Sequence, residues 1–362
     1  MIGCSWYDGW DGVCPEGMTM QYDFVRLMRQ LAPDLAGEFA RRALVLERIA
    51  AMAPVGRRQL AARLQLPERE VRSDAALLKE EGLIDLNASG MMLTAKGSEL
   101  MPAVQAFNRA VHGLTDLELR LAAAYGIGKV HVAAGDADAD ESVLQDVGRM
   151  AAQRVRAILQ NGSTLAVTGG STMAAAAKYM QSATPLNVMV VPARGGLGRS
   201  VAYQANTLAA EIAQRLGGHH RLIHLPDRMD ASAMQEMLKV PEVREAMDRL
   251  QRADVILHGI GRADESAQER KLSVPQMRRL EEGGAVAETL GYYFNQKGEV
   301  LLASSSVGVD LNRLMPSCQM IAVAAGKRKA QAIAAIMRRY PHAALITDEG
   351  AAKAMLDLAG QN

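Results

Sequence analysis

Three β-forming residues, Leu165-Ala166-Val167, run directly into Thr168-Gly169-Gly170-Ser171-Thr172, and an alanine-rich helical stretch over 173–180 follows. A strand that stops at paired glycines and resumes as a helix aims several backbone N–H groups at one point. Those donors have no intrahelical partner and the helix dipole favours negative charge there, so the turn is suited to an anion. The same pattern constrains the architecture around it. From Lys129 onward the chain alternates short apolar runs with helical segments, which predicts an α/β fold with a mostly parallel sheet. Strands are expected over 130–134, 165–168, 188–191, 222–225, 255–259, 300–304, 320–324 and 344–347. Helices are expected over 142–159, 172–180, 203–216, 240–251, 329–338 and 350–358. Ligands of such sheets sit beyond the carboxyl ends of the strands.

The strand-end loops carry matching chemistry. Pro192-Ala193-Arg194-Gly195-Gly196-Leu197-Gly198 sets an arginine beside backbone that approaches a ligand closely. His258-Gly259-Ile260-Gly261 leads toward Arg270, and Ala324-Ala325-Gly326-Lys327-Arg328-Lys329 is a second glycine turn at a helix start, with three cations. Two anion-binding helix starts plus arginines fit a ligand with two phosphates better than one with a single phosphate. Glu288 is either an acceptor for sugar hydroxyls or a surface acid. Tyr292, Tyr293 and Phe294 are expected in the core, because the chain has few other aromatics to fill one. His258 reads as a hydrogen-bonded structural histidine rather than a base. No metal-ligand spacing and no Ser/His/Asp arrangement stands out, and no cofactor is expected.

The front of the chain has a different pattern. Leu44, Leu46, Ile49 and Ala50 recur at helical spacing and Pro54 ends that helix. A short helix over 59–64, the turn Gln65-Leu66-Pro67 and a helix over 68–80 follow, the last with Val71, Ala75, Leu77 and Leu78 turned inward. Residues 82–94 read as strand, turn, strand. This is a winged helix-turn-helix. Eight basic residues (Arg41, Arg42, Arg48, Arg57, Arg58, Arg63, Arg69, Arg72) face three acids (Glu47, Glu68, Glu70) between 41 and 72, and the balance reverses over 73–100. With a net charge of only +1, affinity for DNA must come from this local patch. The DNA-contacting set is read as Arg57, Arg58, Glu68, Arg69, Arg72 and Ser73. Arg69 and Arg72 are assigned to base edges, Arg57 and Arg58 to phosphates.

Between the modules, Leu100, Val104, Phe107, Val111 and Leu114 form a short coiled-coil seam. That helix either joins two DNA-reading heads or packs against its own effector domain. Residues 1–19 hold both tryptophans and two of the three cysteines without periodicity. They are expected to be untranslated leader, with synthesis starting at Met20, or a disordered tail. The domain plan is then 20–97 for the DNA-binding head, 98–122 for the connecting helix and 123–362 for the effector domain. Cys4, Cys14 and Cys318 share no ligand spacing, which fits a reducing cytoplasm. No apolar run is long enough to cross a bilayer, so no membrane association is expected.

Taken in order, the winged head, the 167–172 and 191–198 motifs, His258-Gly259-Ile260-Gly261, Gly291-Tyr292-Tyr293-Phe294-Asn295 and Thr347-Asp348-Glu349-Gly350-Ala351-Ala352 resemble the SorC family of bacterial sugar-responsive regulators. The resemblance runs from about Gln21 to Leu358. It implies a homo-oligomeric repressor of a glycolytic operon that binds double-stranded operator DNA and is relieved by fructose-1,6-bisphosphate. It also implies an effector domain that resembles sugar-phosphate isomerases and deaminases but works as a sensor, not an enzyme. Carried over by motif, Thr168, Gly169, Gly170, Ser171 and Thr172 hold one phosphate. Arg194, Gly195 and Gly196 flank the ligand, Glu288 meets sugar hydroxyls, and Gly326 and Lys329 serve the second phosphate, with Arg270 nearby. Ser171 stands where the family pattern has threonine, and Lys327-Arg328 replaces small hydroxyl residues. The rival readings are a regulator sensing another sugar phosphate and an isomerase- or deaminase-like enzyme.

Overall fold

The computed structural model describes residues 27–28, 30–195, 200–226, 229–303 and 307–360, and the chain divides into two compact units between Gly113 and Leu114. The expected leader, and Gly196 among the candidate ligand residues, lie outside the described residues.

The first unit is a winged helix-turn-helix. Helices Pro33–Met52, Arg57–Leu64 and Glu68–Glu80 precede strands β1 (Ile84–Asn87) and β2 (Gly90–Leu93), which pair antiparallel. The helix-turn-helix bend is made at Gln65, in the left-handed conformation at φ 52°, with Pro67 capping the next helix. Val55 exchanges two backbone hydrogen bonds with Met91, adding a single-residue third edge to the wing. Gly90 makes this possible, since a Cβ there would lie 2.8 Å from the Val55 carbonyl oxygen. The core gathers Leu46, Ile49, Leu60, Val71, Ala75, Leu78, Ile84 and Met91. One inward assignment differs from expectation: Leu77 is exposed, and Ala50, part of the first helix's repeat, is exposed as well. On the third helix the buried stripe is Val71, Asp74, Ala75 and Leu78, a run at helical spacing that leaves position 77 off the face.

The single connecting helix expected over 98–122 is two helices, Ala95–Val111 and Leu114–Tyr125, separated at Gly113, whose φ of 66° suits glycine. Its apolar seam is accordingly divided. Met101 and Val104 join the head's core, and Phe107 meets the Phe39 ring edge-on at 4.5 Å. Leu114, Leu117 and Leu121 belong to the second unit's core.

The second unit is built on a seven-stranded parallel sheet. In chain order its strands are β3 (Val130–Ala133), β4 (Thr164–Val167), β5 (Met189–Pro192), β6 (His219–His220) and β7 (Val255–Gly259). After β8 (Gly261–Arg262), β9 (Ala285–Thr289), β10 (Tyr292–Asn295) and β11 (Val300–Ala303) come β12 (Gln319–Val323) and β13 (Ala344–Asp348). The spatial order of the large sheet is β3-β13-β12-β7-β4-β5-β6. Alternate residues of its strands enter opposite cores, one containing Ala166, Ile256, Ala322 and Leu345, the other Leu165, Leu257, Ile321 and Ile346. Successive strands add outward from β4 through β5 to β6. The chain then returns to lay β7 on the other side of β4 and continues back toward β3. The order therefore reverses between β4 and β7, the position at which sheets of this kind form their ligand crevice beyond the carboxyl ends.

Strands β6, β8, β9 and β10 lie outside the expected strand set, and two expected strands are placed differently. Residues 222–225 form no strand, although Ile223 and Leu225 are buried. The Asn206 side chain takes the place of a neighbouring strand: its Nδ2 donates to the Ile223 carbonyl at 3.0 Å and its Oδ1 accepts the Ile223 N–H at 3.1 Å. Second, β8 to β11 make a separate antiparallel sheet in the order β11-β10-β9-β8, so Val300–Ala303 pairs with β10 rather than with the parallel sheet. No helix of the described residues is long and apolar enough to cross a membrane.

Candidate functional site

The basic face expected to meet DNA is organised by Glu68. Arg72 Nη2 donates to Glu68 Oε1 at 3.2 Å, and Arg58 Nε lies 3.6 Å from Oε2, so one carboxylate brackets the second and third helices. Arg69, Arg72 and Ser73 are exposed on the third helix, and Arg57 is exposed at the start of the second. Exposed ion pairs of this kind stabilise little, which leaves the arginines able to exchange Glu68 for nucleic acid. Arg41 and Arg42 have a different role from the one their count suggested. Arg41 Nε donates to Asp74 Oδ2 at 2.7 Å and Arg42 Nε to Oδ1 at 3.3 Å, with Asp74 buried. These two cations pin the first helix to the third.

In the second unit the crevice between β4 and β7 is tied across its floor. Thr168 N–H donates to the Leu257 carbonyl at 3.1 Å, and Gly259 N–H donates to Thr168 Oγ1 at 2.9 Å. Gly169 is needed for a close approach, because a Cβ there would meet the Tyr203 carbonyl oxygen. Gly170, at φ 114° and ψ 165°, caps the Ser171–Lys178 helix without any side-chain cap. Its own N–H donates to Tyr203 O at 2.9 Å. Gly170 and Ser171 are exposed while Thr168 and Thr172 are buried, so the open donors of this turn are those at the helix start.

Beside it lies a buried ion-pair cluster. Arg194, which pairs with Gly308 just past β5, donates through Nη1 to Glu288 Oε1 at 3.1 Å. The same oxygen accepts the Gly291 N–H at 3.0 Å, and Arg270 Nη2 lies 3.8 Å away. Glu288 sits on β9 opposite Gly261. Sequence reasoning left it open whether this residue was a surface acid; it is buried. Gly195 is buried too, its N–H donating to Val307 O at 2.7 Å. Next to the cluster, His258 Nδ1 contacts Thr289 Oγ1 at 2.8 Å while the Thr289 hydroxyl donates to Gly259 O at 2.8 Å. Burial holds the His258 imidazole down to about 4, so it is neutral at ordinary pH.

The turn after β12 is built unlike the first. Gly326 N–H donates to both oxygens of Asp348 at 3.0 Å, Lys327 N–H to Asp136 Oδ1 at 3.3 Å and Arg328 N–H to Asp138 Oδ2 at 2.8 Å. Its backbone donors thus hold the protein's own carboxylates, supplied from the loop after β3 and from the end of β13. Nothing near Gly326 in sequence signals these acids. Lys329 is half-buried, and burial draws its ammonium below the ordinary lysine value; Glu265 and Asp138 act in the other direction. The ends of β4 and β12 are separated by β7, two strand spacings or about 10 Å. Among the described residues no group of three or more His, Cys, Asp or Glu is arranged to hold a metal ion.

Residues 39–107 match the family described as "CggR N-terminal DNA binding domain", and residues 109–357 match that described as "Putative sugar-binding domain". The chain is 39% identical over 337 residues to the central glycolytic genes regulator of Priestia megaterium, covering 92% of this chain and 98% of that protein. It is 35% identical over 333 residues to the protein of the same name from Bacillus subtilis, with the same coverages. Among solved structures it is similar to a SorC family transcriptional regulator from Enterococcus faecalis, at 36% identity and a TM-score of 0.61, over 67% of this chain and 99% of that one. These relatives are transcriptional regulators, not enzymes.

Proposed function

The chain belongs to the SorC family of sugar-responsive transcriptional regulators, and from that premise we propose that it represses a glycolytic operon and releases its operator on binding fructose-1,6-bisphosphate. The observation that carries this reading is the spacing of two strand-end turns, one offering helix-start donors and the other a lysine. The exposed helix start at Ser171 and the half-buried Lys329 lie beyond strands two places apart, about the span of a hexose with a phosphate at each end.

In this reading the backbone donors and hydroxyls at Ser171 and Thr172 hold one phosphate and the Lys329 ammonium the other. Glu288, whose charge is balanced by Arg194 and Arg270, accepts hydrogen bonds from the sugar hydroxyls between them. The effector acts by binding one of two protein states better than the other. Ordering several strand-end loops around one ligand changes how effector domains pack in a homo-oligomer, and paired DNA heads then lose the spacing that matches two half-sites.

A thermal-shift series with fructose-1,6-bisphosphate, fructose-6-phosphate and unphosphorylated fructose tests the assignment, since a ligand of the native state raises apparent stability. The bisphosphate is expected to give the largest shift and to dissociate the operator complex in a gel-shift titration. A larger shift with the monophosphate supports a second reading, a regulator of a singly phosphorylated sugar. That reading is favoured by the carboxylates already seated on the 326–328 backbone.

A further inference from the structure

The turn after β12 already grips an anion, and two of its carboxylates differ in how firmly they are held. Asp348 is fully buried, accepts from Gly326, Ala137 and Ala351, and caps the Glu349–Ala359 helix. It is part of the frame. Asp138 sits on the loop between β3 and the Ser142–Ile158 helix, and among the described residues the hydrogen bonds its carboxylate accepts come from Arg328, from the backbone N–H at 2.8 Å and from Nε at 3.0 Å. It lies over the glycine that opens the turn, where a Cβ on Gly326 would meet its oxygens at 2.7 to 2.9 Å. Two parallel donors, one backbone and one guanidinium, converging on two oxygens is also how a phosphate is held. The Arg328 head remains largely exposed and reaches Glu265 at 3.7 Å on the far side. Lys329 follows directly in the chain.

We propose that Asp138 is a built-in competitor for the second phosphate of the effector: its carboxylate occupies the Arg328 donors until a phosphate displaces it, which sets the threshold for a two-phosphate ligand and couples that ligand to movement of the 135–141 loop. The inference rests on the sugar-phosphate reading above and adds a specificity-determining residue to it. A carboxylate and a phosphate dianion do not share one pair of donors, so binding of the distal phosphate includes the cost of expelling Asp138. A ligand with a single phosphate, seated at the Thr168–Thr172 turn, leaves Asp138 in place. The vacated donors then face the ligand together with Lys329, and the released loop leads straight into the Ser142–Ile158 helix, which packs along the Ser171–Lys178 helix.

The test is calorimetric titration of the full chain and of its Asp138→Asn and Asp138→Ala variants with fructose-1,6-bisphosphate, fructose-6-phosphate and inorganic phosphate. Loss of the competing charge is expected to tighten bisphosphate binding by about tenfold to a hundredfold, with monophosphate affinity changed less than about twofold. Unchanged or weaker bisphosphate binding in both variants overturns the proposal. If the wild-type chain binds neither sugar, the effector reading fails separately, and inorganic phosphate decides. Binding at least about tenfold tighter to the variants than to wild type retains Asp138 as a competitor, and equal binding to all three chains rejects it.

Discussion

Arg194 Nη1 donates to Glu288 Oε1 at 3.1 Å with both side chains about nine-tenths buried, and that one oxygen also accepts the Gly291 N–H. The pair is a structural element of the crevice as well as a candidate ligand contact. Neutralising one partner leaves a buried charge uncompensated, so Glu288→Gln is expected to lower the unfolding free energy of the effector unit by about 3 kcal/mol. Urea unfolding followed by circular dichroism measures this. A loss below about 0.5 kcal/mol would show that solvent or Arg270 rebalances the charge. In gel shifts, Arg194→Ala is expected to keep operator binding and lose its sensitivity to sugar phosphate.

Arg72 carries a prediction for the other unit. It is exposed on the third helix with Glu68 as its partner, a surface contact that stabilises little. Arg72→Ala is expected to weaken operator binding by about 1–3 kcal/mol and to relax preference at one base position, while the thermal shift caused by the effector is unaltered. Uniform weakening across operator variants, with a shallower salt dependence, would assign Arg72 to a phosphate instead.

His258 predicts a pH response. Because the Thr289 hydroxyl hydrogen is used on Gly259 O, the His258 Nδ1 must itself donate to Thr289, and Nε2 is left without a hydrogen-bond partner among the described residues. Burial therefore depresses the folded value from 6.5 to about 4. A depressed histidine contributes stability that is intact above the unfolded value and is lost as pH falls through the window toward the folded one. Relative to His258→Gln, the wild-type chain is expected to lose up to about 3 kcal/mol between pH 6.5 and 4. Parallel pH profiles for the two proteins over that window would remove the basis for this assignment.

Lys329 separates the two phosphates experimentally. Lys329→Met keeps the aliphatic stem and deletes the charge, and is expected to weaken fructose-1,6-bisphosphate by about tenfold or more while fructose-6-phosphate binding stays the same. Equal losses for both sugars would place the lysine against a part of the ligand they share.

Six of the seven strands of the parallel sheet were legible because they read as short apolar runs between turns, whereas the exposed edge strand His219–His220 has no such run. The Thr168–Thr172 turn was legible for the same reason, with its spacing written in consecutive residues. The antiparallel sheet was hidden by its turn chemistry. The β9–β10 hairpin turns at Leu290-Gly291 with φ of 53° and 89°, and a leucine at positive φ gives none of the asparagine or glycine signal expected of such a turn. The 222–225 run misled because Asn206 satisfies its backbone, a pairing no local pattern encodes. Occupation of the 326–328 donors was equally invisible, since Asp136 and Asp138 come from the opposite end of the effector unit's sequence.

Among the described residues of the large sheet β3 pairs only with β13, Val130 beside Leu345, so the earliest strand of this unit waits for the latest before it has a neighbour. The head has a core of its own and no such dependence. During synthesis the front unit is therefore able to close its own core early, whereas the seven-stranded sheet is completed only when the last strand has emerged.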